Sequence, residues 1–385
     1  MKQHIYADNA ATTKLDIDAF EAMKPYLLEE YGNASQPYFF GKKAAHAIKE
    51  ARKTIAECIN ASPEEIFFTS GGTESDNWVI KCFGFSSIGI RHIVTSKIEH
   101  HAVLNACHQC EIDTDNTDVF YISNDQAGTV STDDLKNILQ RPRKATASCE
   151  TTLVSVMFAN NEIGTIQPIK ELAGIAHDND ALFHTDAVQA VGHVKIDVKD
   201  LDVDYLSASA HKFNGPKGIG FLYVRKGAPI YPLHNGGEQE NGMRAGTEDV
   251  AAIVGMASAL KRNTDHMEKN TELIMSLESL LVNELNVGDL DYIRNGSTNH
   301  IPGNISLSFR DCDGETLLHR MDLKGICIST GSACDSVNTQ ISHVLKAINL
   351  KENYAKGTIR ISLGKNNTLD EVRIIADSII RILRQ

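Results

Sequence analysis

Ser-Ala-Ser-Ala-His-Lys-Phe-Asn-Gly-Pro-Lys-Gly, residues 207–218, lies between two apolar runs at 203–206 and 219–224. The flanking runs predict two strands, and the polar stretch predicts the crossing between them. Its small residues would let a flat ligand approach the backbone, because glycine tolerates the dihedral angles that such a loop needs. A lysine beside a histidine in a partly dry loop can have a lowered amine pKa, as a Schiff-base lysine requires. For an isolated His-Lys pair, a solvated lysine in a turn remains the simpler interpretation.

Strand-like and helix-like runs alternate around this stretch. Apolar runs at 65–69, 90–96, 153–158 and 181–186 predict strands, and the patterns at 17–28, 42–59 and 169–177 predict helices. This alternation predicts a mainly parallel α/β sheet. Ligands of such sheets bind at the carboxyl ends of the strands, where Asn161, Asp186 and Gln189 are expected. The convergence of these polar residues predicts one ligand site.

A glycine-rich turn follows the first of the longer strands. Residues 70–75 read Ser-Gly-Gly-Thr-Glu-Ser and lead into a helical run from about residue 76. The amide N–H groups at a helix start lack partners within the helix, and the helix dipole favours negative charge there. The turn at Gly72 and Thr73 is therefore a candidate phosphate site, with a simple tight turn as the alternative.

The bulk properties narrow the class of protein. The chain has 385 residues, which predicts two domains, and its formal net charge of -12 argues against general nucleic-acid binding while allowing a basic protein partner. No run approaches the roughly 20 apolar residues of a membrane helix. The first residues lack the apolar segment of a signal peptide, and the eight scattered cysteines do not form a disulfide framework. We expect a reduced, cytoplasmic location without membrane contact.

The cysteines differ in their surroundings. Cys107 and Cys110 form an isolated pair on a predicted helix, without a second pair at zinc spacing, so no metal site is expected. Cys334 lies within a long run of small polar residues, on what should be an accessible loop at about 329–341 where a reactive thiol can move. We expect a large domain at 15–260, and a small domain from residues 1–14 and 261–385 that carries this loop.

These residues together match the needs of pyridoxal 5'-phosphate. An acid at a strand end can pair with a pyridinium nitrogen, a lysine can form an imine, and a Gly-Thr helix start can hold a phosphate. From the residues alone, an unidentified α/β ligand-binding protein remains an equal alternative.

The chain also resembles the cysteine desulfurases of the NifS/IscS type, which have the class V aminotransferase fold and use pyridoxal phosphate. The motifs that carry the resemblance run in order along almost the whole chain: Tyr-x-Asp-Asn-Ala-Ala-Thr-Thr at 6–13, Thr-Ser-Gly-Gly-Thr-Glu-Ser-Asp-Asn at 69–77, Glu-His at 99–100, Asn-Asn-Glu-Ile-Gly at 160–164, Asp-Ala-Val-Gln at 186–189, His-Lys at 211–212, Arg-Ala-Gly-Thr at 244–247, Gly-Ser-Ala-Cys at 331–334 and Ile-Arg-Ile-Ser-Leu-Gly at 359–364. The resemblance implies an aspartate aminotransferase-like fold with a mainly parallel central sheet and a smaller α+β C-terminal domain.

The resemblance also implies a role for each matching residue. Lys212 would bind the cofactor covalently, Asp186 would keep its pyridine nitrogen protonated, and Gln189 would bind its phenolic oxygen. His100 would stack on the ring and assist proton transfer. The resemblance implies that the catalytic residues are Cys334, Lys212 and His100. The implied cofactor-binding residues are Gly72, Thr73, His100, Asn161, Asp186, Gln189, Ser209, His211 and Lys212, together with Thr247 from the neighbouring subunit of a homodimer. The implied residues that bind the substrate carboxylate are Arg360, Asn161 and Asn33.

The implied reaction converts L-cysteine to L-alanine and leaves the sulfur as a persulfide on Cys334. An acceptor protein would receive the sulfur for iron-sulfur cluster assembly or for thiolation of tRNA, DNA or cofactors. Two departures from the family pattern affect this expectation: the segment from Gly32 to Gly41 is one residue short, and Asp335 adds a negative charge that raises the pKa of the neighbouring thiol.

Three alternatives remain at this point. A selenocysteine lyase or another class V pyridoxal phosphate enzyme would share the cofactor residues. A catalytically idle sulfur-relay platform would be expected to lack Lys212, Asp186 or Cys334, all of which are present.

Overall fold

The computed structural model describes residues 4–85, 90–141, 150–330 and 341–384. Its strands are β1 (Ile5–Tyr6), β2 (Ile66–Thr69), β3 (Ile90–Ser96), β4 (Thr117–Ile122), β5 (Glu150–Ser155), β6 (Ala181–Asp186), β7 (Tyr205–Ser209), β8 (Gly220–Val224), β9 (Tyr292–Asn295), β10 (Asn304–Phe309), β11 (Ile326–Cys327) and β12 (Thr358–Ser362). Its helices are α1 (Ile17–Leu28), α2 (Phe39–Cys58), α3 (Gly72–Gly84), α4 (His101–Asp113), α5 (Thr132–Leu139), α6 (Ile169–His177), α7 (Val198–Leu201), α8 (Val250–Asp265), α9 (Met267–Val287), α10 (Gly314–Leu323), α11 (His343–Ala347), α12 (Glu352–Ala355) and α13 (Leu369–Leu383).

A seven-stranded sheet with the order β2-β8-β7-β6-β5-β3-β4 forms the centre of the molecule. The pairs β3–β4, β3–β5, β5–β6 and β6–β7 are parallel, whereas β8 runs antiparallel to both of its neighbours. The mainly parallel α/β sheet predicted from the sequence is therefore confirmed. Because β2 and β7 both run opposite to β8, their carboxyl ends lie at the same edge as the ends of β5 and β6.

Two apolar cores lie in different parts of the chain. The first packs around the central sheet and contains Phe183, Phe221 and Met256. The second packs α9, α10 and α13 against a small antiparallel sheet, β12-β10-β9, and is joined by residues at the N-terminus such as Ile5. Burial of each large apolar side chain stabilises such cores by about 1.5–3 kcal/mol. The predicted domain boundary near residue 260 falls close to the end of α8. Val344, which belongs to the predicted small domain, packs in the first core. The division into two domains therefore stays a prediction.

Several element boundaries differ from those that the sequence pattern indicates. Residues 250–285, whose sequence has one continuous helical pattern, form two helices, α8 and α9, because the backbone of His266 leaves the helical region at φ -112 and ψ 13. Helix α3 begins at Gly72 rather than near residue 76, because the Glu74 carboxylate accepts a hydrogen bond from the Ser70 amide and supports the first turn. Strand β7 continues to Ser209, so the crossing begins at residue 210.

Within the described parts of the chain, no helix is both long and apolar enough to pass through a membrane.

Candidate active site

Lys212 lies in a short 3-10 turn, Ala210–Lys212, directly after β7. Its ammonium Nζ donates hydrogen bonds to the carbonyl oxygens of Ala10 at 2.6 Å and Ala11 at 2.9 Å. Gln189 Nε2 donates to the same Ala10 oxygen at 3.0 Å. The N-terminal segment thus reaches the predicted imine lysine.

One cavity of about 600 Å³ brings most of the predicted site residues together. This volume falls in the range of roughly 300–1,000 Å³ that is typical of small-molecule sites. The predicted residues that line it are Gly72, Thr73, His100, Asn161, Asp186, Gln189, Ser209, His211, Lys212 and Arg360. The cavity lies at the carboxyl edge of the central sheet, where the fold class was expected to place a ligand.

Sheet register explains why the glycine turn and the lysine turn meet at this cavity. Thr69, at the end of β2, and Ser209, at the end of β7, both pair with Gly220 at the start of β8. A Cβ at Gly220 would lie 2.7 Å from the Gly71 Cα, so only glycine allows this close approach. The N-terminus of α3 therefore opens beside Ser209, and its first amides are available to an anion.

Asp186 ends β6 and lines the cavity. Its side chain is buried, and Oδ1 accepts a hydrogen bond from the Val188 amide at 2.9 Å. Burial raises the pKa of Asp186, and the nearby His100 and Lys212 oppose that rise. A protonated ring nitrogen beside the Asp186 carboxylate would supply the positive charge that stabilises this carboxylate in its buried, ionised form.

Asp76 is a cavity residue that the sequence reasoning missed. It is 1% exposed, and Oδ1 has no hydrogen-bond partner among the described residues. The nearest basic group is His184, whose Nε2 is 3.6 Å from Oδ1. Burial raises the pKa of Asp76 well above its ordinary value, and the charge of Asp186 raises it further. The sequence signal that could have identified Asp76 is its distance of four residues from Gly72, because residues four apart lie on the same face of a helix.

His100 caps the N-terminus of α4. Its Nδ1 accepts a hydrogen bond from the Ala102 amide at 3.1 Å, which places the proton of the neutral ring on Nε2. Burial lowers the pKa of His100 despite the opposing charge of Asp186. Its neutral ring therefore has a donor nitrogen at Nε2.

His211 is held by the N-terminal segment. Its Nδ1 lies 3.2 Å from Thr12 Oγ1, and its backbone oxygen accepts from the Thr13 hydroxyl at 2.7 Å. Burial, with smaller effects of Lys212 and Lys217, lowers the pKa of His211 to about 4. A neutral His211 can act as a hydrogen-bond donor to a phosphate without adding charge.

Arg360 points into the cavity from β12. Its Nη2 donates to Asp8 Oδ1 at 2.7 Å and its Nη1 donates to the Asn161 backbone oxygen at 3.0 Å. Its Nε is buried and has no hydrogen-bond partner within the described chain. A guanidinium with an unused donor is suited to bind a carboxylate.

Two predicted residues, Asn33 and Thr247, are not among the described residues that line the cavity. Asn33 closes its own turn, with Oδ1 accepting from the Ser35 amide at 2.9 Å. Thr247 is exposed on the loop before α8. Cys334 and Asp335 lie outside the described residues. The roles of Asn33, Thr247 and Cys334 stay predictions.

The cavity residues fit pyridoxal phosphate. The open helix start at Gly72 and Thr73 suits a phosphate, the buried carboxylate of Asp186 suits a pyridinium nitrogen, and the Lys212 amine suits an aldehyde. A second cavity of about 60 Å³ lies between the N-terminal segment and α9 and is too small for this group.

The chain is similar to known proteins over almost its whole length. The family described as "Aminotransferase class-V" matches residues 5–375. A cysteine desulfurase IscS from Dictyoglomus turgidum is 47% identical over 388 residues, which cover 100% of this chain and 96% of the relative. A cysteine desulfurase IscS from Methanosarcina thermophila is 44% identical over 99% of this chain and 92% of the relative.

Solved structures show the same fold. A NifS-like protein superposes with a TM-score of 0.91 at 37% identity and covers 99% of this chain and 100% of that chain. A structure titled "SspA in complex with cysteine" superposes with a TM-score of 0.80 at 35% identity over 94% of this chain and 100% of that chain. This chain therefore belongs to the class V aminotransferase family and, within it, to the cysteine desulfurases of the NifS/IscS type.

Proposed function

We propose that this chain is a pyridoxal phosphate-dependent cysteine desulfurase that converts L-cysteine to L-alanine and passes the sulfur to an acceptor. The observation that carries the proposal is the single cavity that joins Lys212, Asp186, the Gly72 helix start and Arg360. The cysteine bound in a structural neighbour supports cysteine as the substrate.

The chain's own residues would hold the cofactor at three points. The phosphate would lie at the α3 N-terminus with Ser209 and His211, the ring nitrogen at Asp186, and the aldehyde carbon at Lys212. Pyridoxal phosphate, when bound, supplies the electron sink that makes the Cα proton of an amino acid removable.

The remaining cavity residues would manage the substrate and its protons. Arg360 would bind the substrate carboxylate through its unused donor, which orients the amino acid relative to Lys212. Lys212 and His100, which both line the cavity, would move protons at the substrate. The Ala10 and Ala11 oxygens would hold the Lys212 amine whenever it is not bonded to the cofactor.

The sulfur would leave the substrate by attack of the Cys334 thiolate. The new S–S bond forms as the C–S bond of the substrate breaks, and a proton completes the methyl group of alanine. One cysteine and one enzyme thiol thus give one alanine and one persulfide. A sulfur-acceptor protein would then take the outer sulfur, which serves iron-sulfur cluster assembly or thiolation.

The functional unit would be a homodimer, in which Thr247 of each protomer contacts the phosphate in the other. Thr247 is exposed and does not line the cavity of its own chain. Large apolar side chains are also exposed at the end of α1, after it and at the start of α2: Leu28 at 69%, Tyr31 at 72% and Phe39 at 67%. Apolar surface of this kind commonly marks a protein interface.

The experiment that tests the proposal measures alanine and sulfide released from L-cysteine in the presence of a thiol reductant. The wild-type holoenzyme should release both in equal amounts, whereas Lys212→Ala should be colourless and inactive. Cys334→Ala should keep the yellow cofactor absorption and lose sulfide formation. Full activity of Cys334→Ala would show an elimination without a persulfide and would contradict the proposal.

A further inference from the structure

The carboxylate-binding group of the cavity is already partnered by an acid of the same chain. The Arg360 side chain is 4% exposed, and its Nη2 lies 2.7 Å from Asp8 Oδ1. Since Nη1 donates to a backbone oxygen, Asp8 supplies the carboxylate that balances the guanidinium charge. An incoming substrate carboxylate would thus meet a paired guanidinium rather than a bare cation.

Backbone pairing fixes Asp8 in this position. Asp8 forms a parallel bridge with Ser362, which lies two residues beyond Arg360 on β12. The Asn9 amide donates to the Ser362 oxygen at 3.1 Å, and the Ala10 amide donates to the Ser362 hydroxyl at 2.9 Å. The Tyr6 hydroxyl donates to the Asp8 backbone oxygen at 3.0 Å. Asp8 is therefore held against β12 independently of its ion pair.

A fixed carboxylate beside Arg360 has two opposing effects on a substrate carboxylate. It aligns the guanidinium by accepting from Nη2, while the buried Nε has no hydrogen-bond partner among the described residues. It also cancels part of the attraction between Arg360 and a second carboxylate, because like charges in a poorly solvated site repel strongly. The charge effect weakens binding of every carboxylate ligand, including the product alanine.

We propose that Asp8 is a positioning residue that orients Arg360 and lowers the affinity of the site for amino-acid carboxylates. This inference rests on the proposed function, because it assigns the carboxylate site to Arg360. Its consequence is that alanine leaves readily after each turnover, at the expense of a higher KM for cysteine.

The test is Asp8→Asn, which keeps an oxygen that can accept from Arg360 and removes the charge. The dissociation constant of L-alanine, measured on the holoenzyme from the change in cofactor absorption, should fall about tenfold. The KM for L-cysteine should fall as well, while kcat stays the same or decreases because alanine is released more slowly. Binding of cysteamine, which lacks the carboxylate, should not change.

Three controls separate the possible outcomes. Asp8→Glu retains the charge and should bind L-alanine as the wild type does, and Asp202→Asn removes a remote surface charge and should also have no effect. If Asp8→Asn does not fold, Asp8→Ser carries the same prediction. Unchanged or weaker L-alanine binding in the folded neutral variant, or an equal change for cysteamine, would overturn the inference.

The proposed function is tested separately by Arg360→Gln. This variant should lose L-alanine affinity and keep cysteamine affinity. If it binds L-alanine like the wild type, the assignment of the carboxylate site is wrong. If it behaves as expected and Asp8→Asn does not, only the role of Asp8 is wrong.

Discussion

Glu99 precedes the ring-stacking candidate His100 and is one of the most buried acids of the described chain. It is 1% exposed, its Oε1 accepts from the Ser96 hydroxyl at 2.5 Å, and its Oε2 accepts from the Met157 amide at 2.8 Å. Burial raises the pKa of Glu99 from 4.5 to about 8. The folded protein therefore keeps a proton that the unfolded chain loses in this pH range.

This proton makes stability depend on pH. Between about pH 4.5 and pH 8 the unfolded chain binds fewer protons at Glu99 than the folded chain, so the free energy of unfolding falls as pH rises. The contribution is on the order of 1 kcal/mol per pH unit. Glu99→Gln should keep the bond from the Met157 amide on its carbonyl oxygen and reverse the bond to Ser96, with the side-chain NH2 donating to the hydroxyl oxygen. It should flatten the pH dependence of the melting temperature.

The check compares melting curves of wild type and Glu99→Gln from pH 5 to pH 8. Glu50→Gln, which alters an exposed acid on α2, serves as the control and should follow the wild type. Parallel pH profiles for wild type and Glu99→Gln would contradict a protonated Glu99.

Sequence reasoning found the residues at strand ends but missed their partners. Asp186 and Gln189 were predicted because they lie at or just beyond the carboxyl end of a strand, and that end is recognisable from the local sequence. Asp8 and Arg360 are 352 residues apart in the chain, and hydrophobic periodicity does not predict contacts between such distant residues. Asp76 was missed because a polar residue in a helix normally faces solvent.

Helix α3 begins at the end of the cavity that we propose to hold the phosphate, and its first residue packs closely against Val188. A Cβ at Gly72 would lie 2.4 Å from Val188 Cγ2, so a side chain there must displace the side chain of Val188, which lies in the turn after β6. Gly72→Ala should destabilise the protein by about 1–3 kcal/mol through overpacking. It should also weaken cofactor binding, measured by absorbance titration of the apoprotein.

The matched control is Gly174→Ala, in the middle of α6. A Cβ at this position meets no atom within 4 Å, so the substitution should stabilise the helix by about 0.5–1 kcal/mol and leave cofactor binding unchanged. If Gly72→Ala titrates like the wild type, the α3 N-terminus is not the phosphate site.

Regular elements with strong periodicity were predicted well. The helix predicted at 17–28 is α1, and that at 169–177 is α6, because each has an apolar face of ordinary length. The strand predicted at 153–158 instead spans Glu150–Ser155, because the apolar residues after Ser155 continue in the connection that leads to Asn160. Apolar character alone does not mark where sheet pairing ends.

The proposed dimer places a residue from each protomer in the other's site. A mixture of Lys212→Ala and Thr247→Ala should therefore form mixed dimers that contain one intact site, built from the Lys212 of one protomer and the Thr247 of its partner. At limiting cofactor the mixture should be more active than either variant alone. The measurement is desulfurase activity after subunit exchange, with each variant alone as the control.

A different result is expected if Thr247 contributes to the site of its own chain. If Thr247 served its own chain, every site in a mixed dimer would carry one defect, and mixing would restore nothing. The sequence predicted this arrangement only through the family resemblance, because an isolated chain offers no local pattern that distinguishes a loop directed at a partner from a solvated one.

The central claim is that sulfur leaves cysteine as a persulfide on Cys334. The most direct test treats the holoenzyme with one equivalent of L-cysteine per site, without reductant, and maps the added sulfur by mass spectrometry of rapidly quenched protein. The account predicts one alanine per site and one additional sulfur atom on the peptide that contains Cys334. Alanine formed with Cys334 unmodified, or with the sulfur on another cysteine such as Cys327, would contradict it.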